Sequence, residues 1–394
     1  MSASVELLLF VIALYAVECL AWVRRDAACF RTFLLRGLRF VDLNRCFGND
    51  RGVLVFGQPL PPLGVRVTGQ FRPFSVSTDG VFAAAPFTAG LDRQLDSTDA
   101  YFSFDDAMTV AVEGKSLSIN GKAVAVAASE GHARAWAAWL RSIRDTQPDH
   151  RERLIEQHLA ASCDFAGAEK RYAAYRDNSA VLRWLCVALW VFVFLVAPAV
   201  WWWFGIAVAW PRLALVLAAL LLMIAIEFRA AHRDLFPEAK GTRRLHLATM
   251  FLLPLKAIRA LDLLAVDLFV GFDPLAVARA VCRPEEFRRF AGLVWRDVRF
   301  PLPRHDAEWP EAGRHTDAWF RQRLTHNLEQ ALRAAGLEPE DLLAPEPPES
   351  PECIAHCPRC LRQSTRLDET CSSCRDLPLA PMPTRPAAAS PVPV

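Results

Sequence analysis

Lysine is scarce in this 394-residue chain: the 45 basic residues include only Lys115, Lys122, Lys170, Lys240 and Lys256, and no long basic run occurs. With a net charge of +2, the sequence lacks the concentrated positive field by which proteins hold nucleic acid. Catalytic signatures are also missing. There is no Walker loop, no dinucleotide-binding glycine fingerprint after a strand, no H-E-x-x-H and no G-x-S-x-G. Asp105 and Asp106 are paired carboxylates, but consecutive strand residues point to opposite faces, so the pair is poorly placed to share a proton. No catalytic residue, cofactor-binding residue or small-molecule substrate is assigned, and the expectation tilts away from an enzyme.

A disulfide framework is absent as well. Six of the eleven cysteines are scattered singles (Cys19, Cys29, Cys46, Cys163, Cys186, Cys282), and five crowd together at Cys353, Cys357, Cys360, Cys371 and Cys374. Secreted disulfide scaffolds are small and evenly laced, whereas paired C-x-x-C steps in a reducing compartment point to metal.

What the chain has in excess is apolar surface. Hydrophobic residues make up 53%, with 12 tryptophans, and the balance indicates that part of the chain has lipid as its solvent. The run 5–23 is nearly all apolar and long enough to cross a bilayer. Arginines follow it (Arg24, Arg25, Arg31, Arg36, Arg39) and no positive charge precedes it, so a retained span with the N-terminus outside is expected rather than a cleaved signal peptide. Cys19 lacks the small-residue context of a lipoprotein cleavage site.

From 184 to 226 the only formal charge is Arg212, giving room for a hairpin of two spans, 184–204 and 206–228, with a turn near Trp203 to Gly205. Trp201, Trp202, Trp203 and Trp210 then lie at the outer interface, and Arg212 snorkels toward it. Arg176 and Arg183 before the hairpin, and Arg229, Arg233, Lys240, Arg243 and Arg244 after it, put both ends in the cytoplasm. The next stretch, 245–272, is apolar but carries Lys256, Arg259, Asp262 and Asp267, which fall within roughly 140° of a helical wheel. An amphipathic helix lying in the cytoplasmic interface or packed on the hairpin is expected, with an intramembrane charge relay as the sharper alternative.

Residues 40–147 read as a cytoplasmic β-rich domain with a capping helix. Alternating Met108, Val110 and Val112, then Leu117 and Ile119, then Val124 and Val126, are punctuated by Glu113-Gly114 and Asn120-Gly121, the second being a strong hairpin signal. Earlier strands are expected at 53–56, 65–69 and 81–84. Ser129 caps a helix to Arg144 with Ala135, Trp136, Trp139, Leu140 and Ile143 at core spacing. A curved sheet closed by one helix resembles pleckstrin-homology-like modules, which implies a lipid- or protein-docking surface. A helical connector (148–183) leads into the hairpin, and its His150 and His158 read as a solvated or half-buried face. Beyond it, 283–343 is a helical cytoplasmic region with Phe287, Phe290 and Val294 on one helix and Trp319, Phe320, Leu324, Leu328 and Leu332 on another, ending near Gly336. Residues 344–351 form an extended linker and 379–394 a proline-rich disordered tail.

Chemistry concentrates in 353–378. Cys357-Pro358-Arg359-Cys360 and Cys371-Ser372-Ser373-Cys374 let four thiolates converge on one Zn²⁺. The spacing resembles the zinc ribbon, a small β-hairpin module, although the usual glycine after each knuckle is replaced by Leu361 and Arg375. The resemblance implies a structural Zn²⁺ held by Cys357, Cys360, Cys371 and Cys374, with Cys353 and His356 as spare potential ligands; because few basic or aromatic residues lie nearby beyond Arg359, Arg362 and Arg366, a protein partner is expected rather than nucleic acid.

The expected fold is thus a multi-domain α+β membrane protein with three transmembrane helices, a cytoplasmic antiparallel β domain, and a C-terminal zinc ribbon. The whole chain resembles inner-membrane proteins of GC-rich proteobacteria, and the arginine-for-lysine bias agrees. That resemblance implies no particular activity. The function expected is a scaffold, adaptor or regulator docking cytoplasmic partners at the inner membrane. The alternative is a membrane enzyme or transport-complex subunit using Arg259, Asp262 and Asp267 at the membrane edge.

Overall fold

The Asn120-Gly121 turn shows how directly local chemistry sets the β region. In the computed structural model φ is 51° at Asn120 and 78° at Gly121, the left-handed pair a type I′ hairpin needs. The Asn120 carboxamide also accepts the Thr109 amide at 2.7 Å, locking the turn to the neighbouring strand. Strands Val110–Glu113, Ser116–Ile119 and Lys122–Val126 form one antiparallel sheet. Its third strand departs from strict alternation. A bulge between Ala123 and Ala125 shifts the register, so Ala125 and Ala127 are buried where alternation would bury Val124 and Val126.

The structure describes residues 13, 29–31, 38–40, 53–57, 65–83, 100–105, 107–301, 309–345, 347–374 and 377–382. The first expected span, 5–23, lies outside them apart from Ala13, as do Asp106 and Arg375. Two further sheets precede the hairpin sheet. One has the order Leu38–Phe40, Cys29–Arg31, Val53–Gly57, Arg66–Gln70 and is antiparallel except for the parallel pair Cys29–Arg31 with Val53–Gly57; the other joins Ser75–Val76, Gly80–Ala83 and Ala100–Ser103.

The helices follow in order. Helix α1 (Glu130–Arg144) begins where Ser129 accepts the His132 amide at 3.2 Å, and α2 (Pro148–Ser162) starts on a proline whose missing N–H is of no consequence at that position. The expected single connector is two helices, because Asp164 caps a new one, α3 (Phe165–Asn178), through the Gly167 amide at 2.9 Å. Two helices long and apolar enough to cross a membrane come next: α4 (Ala180–Phe204), with a π-helical turn at Phe192–Val196, and α5 (Ile206–Leu235). Gly205, at φ 71°, makes the tight turn between them.

The stretch 245–272 is not the single amphipathic helix expected. It falls into α6 (Lys240–Leu252), α7 (Pro254–Ile258) and α8 (Ala260–Ala265), because Pro254 cannot continue a helix and the turn at Arg259 breaks the phase again. The wheel that grouped its charges on one face therefore does not apply. Helix α9 (Pro274–Val281) is capped by Asp273 on the Leu275 amide at 2.8 Å. Helices α10 (Pro284–Arg299) and α11 (Glu311–Ala334) complete the set, and Gly336 at φ 75° ends the last.

Two cores organise these elements, and they divide the expected 40–147 domain. In one, Phe74, Val76, Val81, Phe102, Leu117 and Ile119 pack with Trp136, Trp139, Leu140 and Ile143 of α1. In the other, Leu54, Phe56 and Val67 from the first sheet join Tyr175, Leu182, Phe228, Leu261, Leu264, Phe269, Phe287 and Phe290; Phe56 meets Phe290 edge-to-face at 5.4 Å. Helix α11 ties the two together, placing Phe320 in the first core and Leu328 and Leu332 in the second.

Candidate metal centre

The C-terminal module is built from very short strands. Ala355–His356 pairs with Gln363–Ser364 on one side and Ala380–Pro381 on the other, and Thr370–Cys371 pairs with Leu377–Pro378. The module therefore runs past 378, into residues expected to be disordered: Pro381 sits on an edge strand, where its missing N–H breaks no ladder, and the Met382 amide donates to Ile354 O at 2.8 Å. Of the expected tail, 383–394 lie outside the described residues.

The first knuckle is closed by backbone hydrogen bonds. The Cys357 amide donates to Arg362 O at 2.8 Å, and the Leu361 amide donates to Cys357 O at 2.9 Å. Leu361 has φ 62°, the left-handed conformation a glycine adopts at this point in a ribbon. The knuckle geometry is thus kept without the glycine, at a backbone cost of roughly 1–2 kcal/mol.

All four cysteines named from the sequence come together. The sulfurs of Cys357, Cys360, Cys371 and Cys374 lie within 4.8 Å of one another, with Cys360 and Cys371 at 3.6 Å. A tetrahedron of metal–sulfur bonds of ~2.3 Å has edges of roughly 3.8 Å, so the cluster has the dimensions of a four-thiolate site. Cys357, Cys371 and Cys374 are buried. A hydrogen bond from the Cys360 thiol pulls Cys357 down to about 5, the same bond pushes Cys360 up, and burial pushes Cys374 up to about 12. Cys360 and Cys374 thus hold their protons while Cys357 gives its own up readily, and a bound divalent ion would favour the thiolate form throughout the group. Cys353 and His356 stay outside this group; Cys353 lies 3.5 Å from Ser350 Oγ.

The cysteine cluster is fastened to the rest of the molecule by its own first knuckle, which the sequence did not foretell. Arg359 is buried and its guanidinium pairs with Asp297 of α10. Arg296, one residue earlier, donates from Nε to Arg359 O at 3.2 Å and from Nη1 to Leu342 O at 2.8 Å. The only hint in the sequence is an arginine between two cysteines of the cluster, and nothing in the spacing names its partner 62 residues away.

The remaining candidates are dispersed. Asp262 accepts the Arg66 amide at 2.7 Å and lies 3.9 Å from Arg259, which is buried. Asp267 accepts from Ser129 at the head of α1, and Lys256 is exposed. Asp262 and Asp267 thus fasten two different elements, the strand Arg66–Gln70 and α1. His150 is exposed; His158 stacks on Trp139 at 4.2 Å, and burial lowers it to about 3. Cys163, buried, is raised to about 12 and is a poor nucleophile. Compared with known proteins, the chain matches no family model, no curated protein and no solved structure.

Proposed function

We propose that the chain is a membrane-anchored scaffold or adaptor of the bacterial inner membrane that presents a structural Zn²⁺ module to a cytoplasmic protein. The observation that carries this reading is the closed group of four cysteine sulfurs fixed by Arg359, Arg296 and Asp297 to the body that also holds α4 and α5. Four thiolates leave a Zn²⁺ no open position, so the metal organises the fold and takes no part in turnover. With the first knuckle turned inward, the second faces solvent. Ser372, Ser373 and Arg366 are exposed there, offering hydrogen-bond donors and positive charge to a protein partner.

In this reading α4 and α5 cross the bilayer with both ends in the cytoplasm, since Arg176 precedes α4 and Arg229 and Arg233 lie in the last turns of α5. The run 5–23 makes a third span with the N-terminus in the periplasm. The β region closed by α1 serves, like a pleckstrin-homology-like module, as a second docking surface. The contacts of Asp262 and Asp267 favour structural duty for these carboxylates over a relay in a membrane enzyme or transporter.

The test is purification of the full chain from detergent-solubilised membranes, beside a Cys371→Ser, Cys374→Ser variant. A stoichiometric protein partner that accompanies the parent and is lost from the variant, while both remain in the membrane fraction, is expected. A parent that purifies without any partner contradicts the adaptor role.

A further inference from the structure

Helix α6 is amphipathic in the wrong sense for water. Its inward face is mixed, carrying Arg243, His246 and Thr249 beside the buried Met250 and the half-buried Leu247, with one Arg243 nitrogen fully buried. Its outward face carries Leu245, 63% exposed, Ala248, and then Phe251 and Leu252, the latter 78% exposed; Leu253 follows in the turn. An aqueous helix inverts that arrangement. The only charges on the outward face, Lys240 and Arg244, lie at the N-terminal end.

The level of this face relative to α5 is fixed by aromatic contacts. The His246 ring lies 6.0 Å from Phe228, edge-on, and 6.4 Å from His232, so α6 doubles back along α5 after the turn at 236–239. On α5 the exposed surface changes from apolar Ile226 to charged Arg229 at that height; on α6 it changes from Arg244 to Leu245 at the same height. Two antiparallel helices thus switch between charge and hydrocarbon at one level. From His246 the helix climbs about 10 Å further, at 1.5 Å per residue, to Leu253. There Pro254 turns the chain back, and the return is pinned where Cys186 donates to Ala257 O at 3.5 Å and Tyr175 donates to Leu261 O at 3.1 Å.

We infer that residues 245–256 form a re-entrant wedge whose outward face is covered by the acyl chains of the cytoplasmic leaflet. The inference rests on the membrane reading of α4 and α5. Lipid is the occupant because the apolar surface of α6 continues that of the spans, where Leu222 and Ile226 are 55% and 56% exposed. At the Pro254 break the Leu253 amide donates to Thr249 O at 2.9 Å and the Lys256 amide donates to Leu253 O at 2.7 Å, so these backbone groups are paired within the chain, as groups at membrane depth must be. Lys256, exposed on the return, reaches back to the headgroups along its own stem.

Full-length protein in phospholipid vesicles, with a trace of lipid bearing a photoactivatable diazirine midway along one acyl chain, is irradiated, digested and mapped by mass spectrometry. Adducts are expected on the peptide containing Phe251, Leu252 and Leu253, at a yield comparable to that on 215–226 and about tenfold or more above that on α11, because the hydrocarbon excludes water-exposed protein. Adducts on 215–226 but none on 245–256 overturn the wedge and leave the spans intact. Adducts on neither overturn the membrane reading itself.

Discussion

Leu361 is the residue where local strain is most directly measurable. Its φ of 62° suits glycine and opposes any side chain with a Cβ. Leu361→Gly is expected to stabilise the metal-loaded module by ~1 kcal/mol, read as slower zinc loss to a chelator, while Leu361→Ala brings no gain. At the head of α1, Asp267 accepts from Ser129 and its carboxylate packs against Gly131, where an added Cβ would stand 2.6 Å from Oδ1. Asp267→Ala should cost ~1–2 kcal/mol in thermal or denaturant unfolding. His158 supplies a pH test. Its folded value, about 3, lies below the usual 6.5 because burial against Trp139 disfavours the cation. Its contribution is therefore complete above pH 6.5 and is lost as pH falls from there toward 3. His158→Phe keeps the stacked ring without the proton, so its melting temperature should fall less steeply with acidification than the parent's.

At the scale of elements, the legible features were those dictated within a few residues. Asn120-Gly121, the Ser129 cap, Pro148 at a helix start, Gly205 between two apolar runs and Gly336 at a helix end each act on their own neighbours, and each lies at the turn, cap or boundary where the sequence placed it. The bulge at Val124 was not legible, because Val124 and Val126 satisfy alternation as well as Ala125 does. Nor was the breaking of 245–272. Periodicity assumes an unbroken helix, and the turn at Arg259 and the end of α8 at Ala265 leave Lys256, Asp262 and Asp267 on segments with no common phase. The gathering of the four cysteines was legible from spacing alone, whereas the clamp of Arg359 on Asp297 was not, since ion pairs between distant segments leave no periodic trace. That clamp gives an element-scale prediction. Asp297→Ala strands the buried Arg359 guanidinium and should loosen the module by roughly 1–3 kcal/mol, seen as faster protease cleavage in the 344–351 linker with zinc content unchanged.

For the whole molecule, one core joins the two long apolar helices to the mixed α/β body, and Arg359 and Arg296 tie the separate cysteine cluster to it. Helix α11 bridges both cores, and Gly313 on it touches the Phe82 ring so closely that a Cβ would fall 2.5 Å from a ring carbon. The central claim is that this one body sits in a membrane while its four sulfurs hold zinc. Elemental analysis of the full chain, extracted by detergent from washed membranes, tests both halves at once. The account predicts about one zinc per chain, lost in the Cys371→Ser, Cys374→Ser variant, with the parent retained in the membrane pellet after alkaline carbonate. A chain released by carbonate, or one retained in the membrane without metal, contradicts it.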